Sequence, residues 1–426
     1  MEDTAVRLKK GRMIGRYSMI TYKNGGNETN KREFVLSIFF AILLFMIVLC
    51  IVQRQVEMEV GDHFVHGKAA LEINRSNFLY KIKVDPHCLW HLIVKTICAV
   101  FKTNDLGFVA GIVSGTFVMA TYYLTVIYMR GFCAYGYSVM AFIASVVGPL
   151  YVPWINKNYY LGTGSPNTWH NPTNIVVKPF AVVIFVVVCG LFSKIKEERN
   201  VENTTDLKIS FRTVSFLSLI ILFSVIAKPS FVMAFIPAVG VYIILLLVFT
   251  GRQNLTSYYV LCISFVPGVL ILIYQYLAFF GDKTGAGIGI DWFHVVKNWT
   301  NHPFLSSMLA LCFPVMFLLC NIKREILKTD VQLSLIYISI SWLMGNLLFE
   351  TGEREFHGNF SWAYLLSLYI LWMVCLAHFL VDFWEIDIKE KTNRIKQGVL
   401  ISILVFHILF GLIYIMDLLI KPGFKI

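Results

Sequence analysis

Apolar residues fall along the chain in long runs broken by short polar segments. The runs cover 34–52, 107–129, 135–154, 175–193, 211–227, 230–249, 256–280, 304–321, 331–349, 361–381 and 397–418. Most approach the roughly 20 residues needed to cross about 30 Å of hydrocarbon. A further apolar stretch, 90–101, is only about a dozen residues long, too short for an ordinary span. Lys228-Pro229 and Pro237 are candidate helix breaks.

The placement of positive charge decides how these runs are threaded. Suppose 90–101 lies in the interface or re-enters. Arg130, the cluster Lys194, Lys196, Arg199 and Lys208, then Arg252, the group Lys323, Arg324 and Lys328, and the group Lys389, Lys391, Arg394 and Lys396 then all share a side with the basic N-terminal segment. If it crosses, every later cluster changes side. The positive-inside rule selects the first threading. The expected architecture is an all-α integral membrane protein with about 11 transmembrane helices and a long first outer loop containing interface helices. Residues 1–33 form a cytoplasmic basic tail and 34–426 a polytopic domain, expected in a bacterial plasma membrane with the N-terminus inside and the C-terminus outside.

Composition agrees. Of 426 residues, 57% are hydrophobic and 15% charged, where a soluble protein has about 25% charged residues. No connecting segment is long enough for a separate soluble domain. The net charge of +11 suits loops meeting anionic lipid; the basic residues are too scattered for nucleic acid. The nine cysteines form neither a CxxC pair nor a metal-type spacing, and most sit in apolar runs as small hydrophobes. The first apolar run follows more than 30 polar and basic residues and no small-residue cleavage site ends it, so no cleavable signal is expected.

With this threading four mixed loops share the outer face: 54–106, 155–174, 281–303 and 350–360. They hold His63, His66, His87, His91, His170, His294, His302 and His357; only His378 and His407 lie in late spans. The chemistry is therefore expected outside. Segment 54–89 carries Asp62 flanked by His63 and His66. In a helix Asp62 and His66 share a face, and a carboxylate backed by imidazole can take a proton from an attacking hydroxyl or bind a divalent ion. A solvated polar turn is the alternative. Asp85 follows, with His87 and His91 on one face of a short helix started by Pro86. Trp90 suits the membrane–water interface, so this helix is either an anchor or a cover for a cavity mouth.

The loop GTGSPNTWHNPTN offers Trp169 for stacking on a sugar face and His170 and Asn171 for its hydroxyls. Lys178, inside the next run, is a functional candidate as an ionisable group in a span. In ETGEREFHGNFSW, Arg354 can hold a phosphate in bidentate fashion, with Glu350 and Glu353 positioning it, His357 nearby and Trp362 just beyond. A salt-bridged turn is the bland alternative. Asp291, His294 and Lys297 at i, i+3, i+6 also fit any amphipathic surface helix. There is no GxxxxGK[ST], HExxH or GxSxG, and no DxD in a soluble domain, which disfavours ATP-driven transport and nucleotide-sugar chemistry of the soluble type.

The arrangement resembles the polytopic GT-C class of glycosyltransferases, bacterial glycan-assembly type. In that class the first outer loop carries a catalytic acid near its start, and Asp62 stands within about ten residues of the first span. PHCLWH looks like the start of the helix after that loop, and ETGEREFHGNFSW is similar to a late outer-loop segment. The paired acids of protein O-mannosyltransferases are Asp62-His63 here. The resemblance implies a polyprenyl-phosphate-linked sugar donor, a glycan or lipid-linked acceptor, and transfer at the outer face. Asp62, with His63 and His66, would be catalytic. Arg354, Lys178 and His357 would meet the donor phosphate. His87, His91, Trp169, His170, Asn171, Asp291, His294, Glu350, Glu353 and Trp362 would line the sugar and acceptor sites. No cofactor is indicated, and a divalent cation stays open. The rivals are an O-antigen-type polymerase or ligase, which leans on outer arginines (here Arg54, Arg75 and Arg354), a lipid-linked saccharide transporter or flippase, which needs charged residues in the spans, and an O-acyltransferase using His378 or His407.

Overall fold

A computed structural model of the chain describes residues 27–84, 87–156, 162–199, 208–250, 254–280, 287–385 and 389–421. In chain order the elements are α1 (Asn27–Glu57), α2 (Gly61–Leu71), α3 (Phe78–Val84), α4 (Cys88–Phe101), α5 (Leu106–Arg130), α6 (Tyr137–Val146), α7 (Pro172–Arg199), α8 (Phe211–Ala227), α9 (Ser230–Thr250), α10 (Leu255–Phe280), β1 (Gly287–Ile290), a 3-10 turn (Val296–Asn298), α11 (Pro303–Glu325), α12 (Thr329–Leu347), β2 (Leu348–Thr351), α13 (Ser361–Glu385) and α14 (Lys391–Ile420). The two strands pair antiparallel, Gly287 opposite Thr351 and Ile290 opposite Leu348.

The molecule is apolar on the outside. Phe34, Phe39 and Ile42 of α1, Leu270, Ile273 and Leu277 of α10, and Phe406 and Met416 of α14 are all exposed, while Asn171, Lys228 and Glu325 are buried. A water-soluble fold inverts this arrangement. Among the described residues, eight helices are long and apolar enough to cross a membrane: α1, α5, α7, α9, α10, α11, α13 and α14. The other three apolar runs give shorter or more polar helices, α6 with 10 residues, α8 with 17, and α12 carrying Asp330, Gln332 and three serines. Helix α13 is the central post. Nearly every residue from Ala363 to Leu380 is buried in it.

The run 135–154 departs from the expected continuous helix. Helix α6 stops at Val146, and the chain goes on as irregular backbone through a turn at 153–155 to Asn156, which bridges to Thr300. Irregular backbone among apolar helices needs protein partners for its polar groups. Here Gly148 N–H donates to His407 O, His407 Nδ1 meets Gly148 O at 2.7 Å, and Leu150 N–H donates to Leu309 O. The approach is close because Gly148 meets Gly411 of α14; a Cβ on Gly411 would lie 1.8 Å from Val146 O.

The basic segment also differs. Residues 1–26 lie outside the described residues, and α1 begins at Asn27 rather than after the tail. Glu33 is buried there because it caps α6: its carboxylate accepts from Gly136 N–H at 2.8 Å and Ser138 N–H at 3.1 Å. Acid at a helix N-terminus satisfies free amides and complements the helix dipole.

Helix α4 measures about 21 Å at 1.5 Å per residue, and both its ends stay at one end of the bundle. His87, just before it, lines a cavity with Lys228, and Leu106, just after it, packs against Gly67 of α2. Trp90, expected at the interface, is instead fully buried, and its Nε1–H donates to Ser114 Oγ at 3.2 Å. Asp85 and Pro86 lie outside the described residues.

The far end of the bundle holds a separate buried charge network. Lys328 contacts Glu325 and His378 Nδ1, and His378 Nε2 donates to Asp330, which also accepts from Tyr128 OH at 2.7 Å. Arg324 pairs with Glu325 and Asp382.

Candidate functional site

The site is built where the polar loops meet. Gly61, at φ +77°, sits with the Gln55 side chain where a Cβ would be, so the chain reverses tightly after α1 and α2 presents Asp62 inward. Opposite stands the start of α7. Asn171 caps it: Oδ1 accepts from Asn174 N–H at 2.9 Å and from Thr173 Oγ at 3.0 Å, and Pro172 takes the first helical position. Because the amide oxygen is committed to the cap, the amide NH2 faces Asp62 and donates to its Oδ2 at 2.7 Å. Burial raises the Asp62 pKa above the ordinary carboxylate value, against the opposing pull of the Asn171 hydrogen bond and the Lys228 charge. A carboxylate with a raised pKa is a stronger base.

Lys228 lies between α8 and α9. The following proline keeps it extended, at φ −167° and ψ 120°. Its ammonium donates to Thr173 Oγ at 2.9 Å and Asn171 Oδ1 at 3.3 Å, and stands 4.0 Å over the Trp362 ring. Burial lowers its pKa to about 7, with the Asp62 charge acting in the opposite sense.

Two cavities meet at Trp362. The first, of about 400 Å³, is lined by Asp62, Trp299, Asn346, Ser361 and Tyr364, with Gly162, Gly164, Gly345 and Gly358 giving it backbone walls. Gly358, at φ +64°, leaves space that the Trp299 ring fills. The second, of about 330 Å³, carries Lys228, Arg354 and His87 at its head, while Met233, Leu272 and Ile273 form apolar walls. Ile273, Tyr276 and Ile288 at its rim are exposed, continuous with the apolar outer face of α10. Arg354 is held by Glu350, Nε to Oε2 at 3.3 Å, and Glu350 also accepts from Asn359 at 2.5 Å.

The histidines divide by role. His63 is a core residue. Its Nδ1–H donates to Gln55 Oε1 at 2.8 Å and its Nε2 accepts from Ser114 Oγ at 3.2 Å, completing the chain begun by Trp90. Burial lowers its pKa to about 3, keeping it neutral. His66 lies one turn from Asp62, and its Nδ1 is 2.9 Å from His91 Nε2. Burial, followed by nearby charge, holds His66 and His87 well below the ordinary histidine value, so the cations lining the second cavity are Lys228 and Arg354 rather than these imidazoles.

The structure thus lines the two cavities with Asp62, His87, Glu350, Arg354, His357 and Trp362, His357 on the first and Arg354 on the second, and sets Asn171 against Asp62 and the His66–His91 pair near Lys228 and His87. It does not bring Lys178 there. That ammonium is held by Pro166 O at 2.9 Å and the Tyr369 ring at 4.4 Å, and with Trp169 it lines a small void of about 20 Å³. Trp169 is buried there instead of offering a face to either cavity. His170 is tied to Tyr414 OH at 2.5 Å. Asp291 and His294 sit by the β1–β2 pair, where His294 stacks on Phe349 and meets Glu355 at 2.6 Å, which raises its pKa. Glu353 is exposed and lines neither cavity. His378 belongs to the far charge network and His407 to the α6 extension.

Sequence reading missed Lys228, Trp299 and Asn346. Lys228 had a signal: it is the only charged residue between Arg212 and Arg252, and an ionisable group in such a run marks a functional candidate. Trp299 and Asn346 reach the cavity only through the fold. Among the described residues no group of three or more His, Cys, Asp or Glu is placed to hold a metal ion. The chain matches no protein-family model and no curated protein.

Proposed function

We propose that the protein is a membrane glycosyltransferase that moves a sugar from a polyprenyl-phosphate-linked donor to a hydroxyl of a glycan or lipid-linked acceptor at the outer face. In this reading all eleven apolar runs cross the membrane, the 135–154 run half as helix and half as irregular backbone, and the N-terminus is inside.

One observation carries the proposal: a carboxylate and a pair of cations line two cavities that share one tryptophan. Asp62 faces the first cavity, and Lys228 and Arg354 head the second, with Trp362 common to both. The second cavity suits a lipid phosphate, since its apolar walls run to the exposed face of α10 and its lining includes Lys228 and Arg354. Asp62 takes the proton of the acceptor hydroxyl. The freed oxygen attacks the anomeric carbon, and the bond from that carbon to the phosphate oxygen breaks. The electron pair leaves with the lipid phosphate, whose charge Lys228 and Arg354 stabilise. The proton on Asp62 then passes to solvent.

The test is sugar transfer by the purified full chain in lipid nanodiscs, with a polyprenyl-phosphate hexose as donor. Asp62→Asn is expected to lose about 10²–10⁴-fold in turnover while still binding polyprenyl phosphate. Full turnover by that variant overturns the base. Unchanged polyprenyl-phosphate binding by the double variant Lys228→Met, Arg354→Met overturns the donor site.

A further inference from the structure

We infer that the first cavity binds an uncharged saccharide, stacked between Trp299 and Trp362, as the acceptor, and that a phosphate-bearing acceptor headgroup is excluded from it. The inference rests on the two-cavity reading above and specifies the acceptor side of it.

The argument is one of charge partition. Among the described residues, the lining of the first cavity holds no Lys or Arg, and Asp62 is its only carboxylate. An anion entering it would meet the Asp62 carboxylate with no cation in the lining to pair with, since Lys228 offsets the Asp62 charge only from outside that lining. The two cations nearby are directed elsewhere. Lys228 is held on Thr173 and Asn171 behind the Trp362 ring, and Arg354 is held by Glu350 on the second cavity.

What the first cavity does offer matches a polyol. Trp299 and Trp362 supply apolar faces for the C–H side of a pyranose ring. Asn346, Ser307, Ser361 and His357 supply donors and acceptors around them. The glycine walls bring backbone close as well. Gly164, at φ +81°, lies where a Cβ would press on Tyr364 and Leu365, and a side chain at Gly358 would displace the Trp299 ring. An aromatic pair with amide and hydroxyl groups and no lysine or arginine in the lining selects hydroxyls over phosphates or carboxylates.

Native mass spectrometry of the purified full chain, given a neutral hexose oligosaccharide, a uronic-acid oligosaccharide of equal length and polyprenyl phosphate, tests this. The neutral oligosaccharide is expected to bind in preference to the uronic-acid one. Its affinity should fall about tenfold in Trp299→Ala, the size of a lost aromatic contact, and recover in Trp299→Phe. Polyprenyl-phosphate binding should not change in either variant. Equal or better binding of the uronic-acid oligosaccharide, neutral binding indifferent to Trp299→Ala, or no saccharide binding overturns the inference. Loss of polyprenyl-phosphate dependence on Lys228 and Arg354 instead overturns the donor site and leaves the saccharide result standing.

Discussion

Asn171 donates its amide to Asp62 Oδ2 at 2.7 Å while its own oxygen caps α7. One side chain therefore sets the position of the acid and the start of the helix beneath it. Removing it in Asn171→Ala takes away the cap, worth about 1 kcal/mol, and leaves a buried carboxylate short of a donor, at about 1–3 kcal/mol. A lower melting temperature is expected. Asn171→Asp keeps the cap but sets two acids side by side. That raises the Asp62 pKa further, so the acid limb of the transfer pH profile should move to higher pH, and a profile unchanged by Asn171→Asp counts against the contact.

The basic limb should belong to Lys228. Its pKa of about 7 places loss of the ammonium within the working range. Donor capture, read as kcat/KM, is expected to fall about tenfold per pH unit above that value. Lys228→Arg keeps its charge at every working pH, so the limb should vanish in that variant. The stability sign follows from the same shift. Between about 7 and the ordinary lysine value of about 10.4 the unfolded chain binds a proton that the fold does not. Lys228 therefore contributes stability that rises with pH over that window, and Lys228→Met should reduce the slope.

His63 separates positioning from catalysis. In His63→Leu, Gln55 and Ser114 each lose a buried partner, at about 1–3 kcal/mol each. The melting temperature should drop while turnover per folded molecule stays within a few-fold of wild type. A large turnover loss with an unchanged melting temperature would instead place the imidazole in the reaction.

Gly411 and Gly398 lie on the same helix and should respond in opposite directions. A Cβ on Gly411 meets Val146 O at 1.8 Å, and nothing lies within 4 Å of one on Gly398. Gly411→Ala must push α14 away from the irregular segment, and a marked fall in melting temperature and folded yield is expected. Gly398→Ala gains up to about 1 kcal/mol of helix propensity and should be neutral or stabilising.

Local pattern was enough for much of the fold. Long apolar runs dictate long helices, because backbone polar groups among apolar surroundings must pair within each helix. The short α4 was legible from its length, and the shared face of Asp62 and His66 from helical spacing. Pattern misjudged 135–154, since composition does not tell a helix from an irregular segment whose polar groups are met by His407 and Leu309 on distant helices.

The sequence alone determined that the molecule is a bundle of long apolar helices and which loop carries Asp62, because hydrophobicity acts locally and leaves a linear record. Only the tertiary structure decided which charges meet. Lys178 and Lys228 are both lone lysines next to apolar runs. One points at a loop carbonyl in a small void, and the other stands over Trp362 beside Asp62. The packing of α7, α9 and α13 separates them, and packing depends on side chains more than a hundred residues apart.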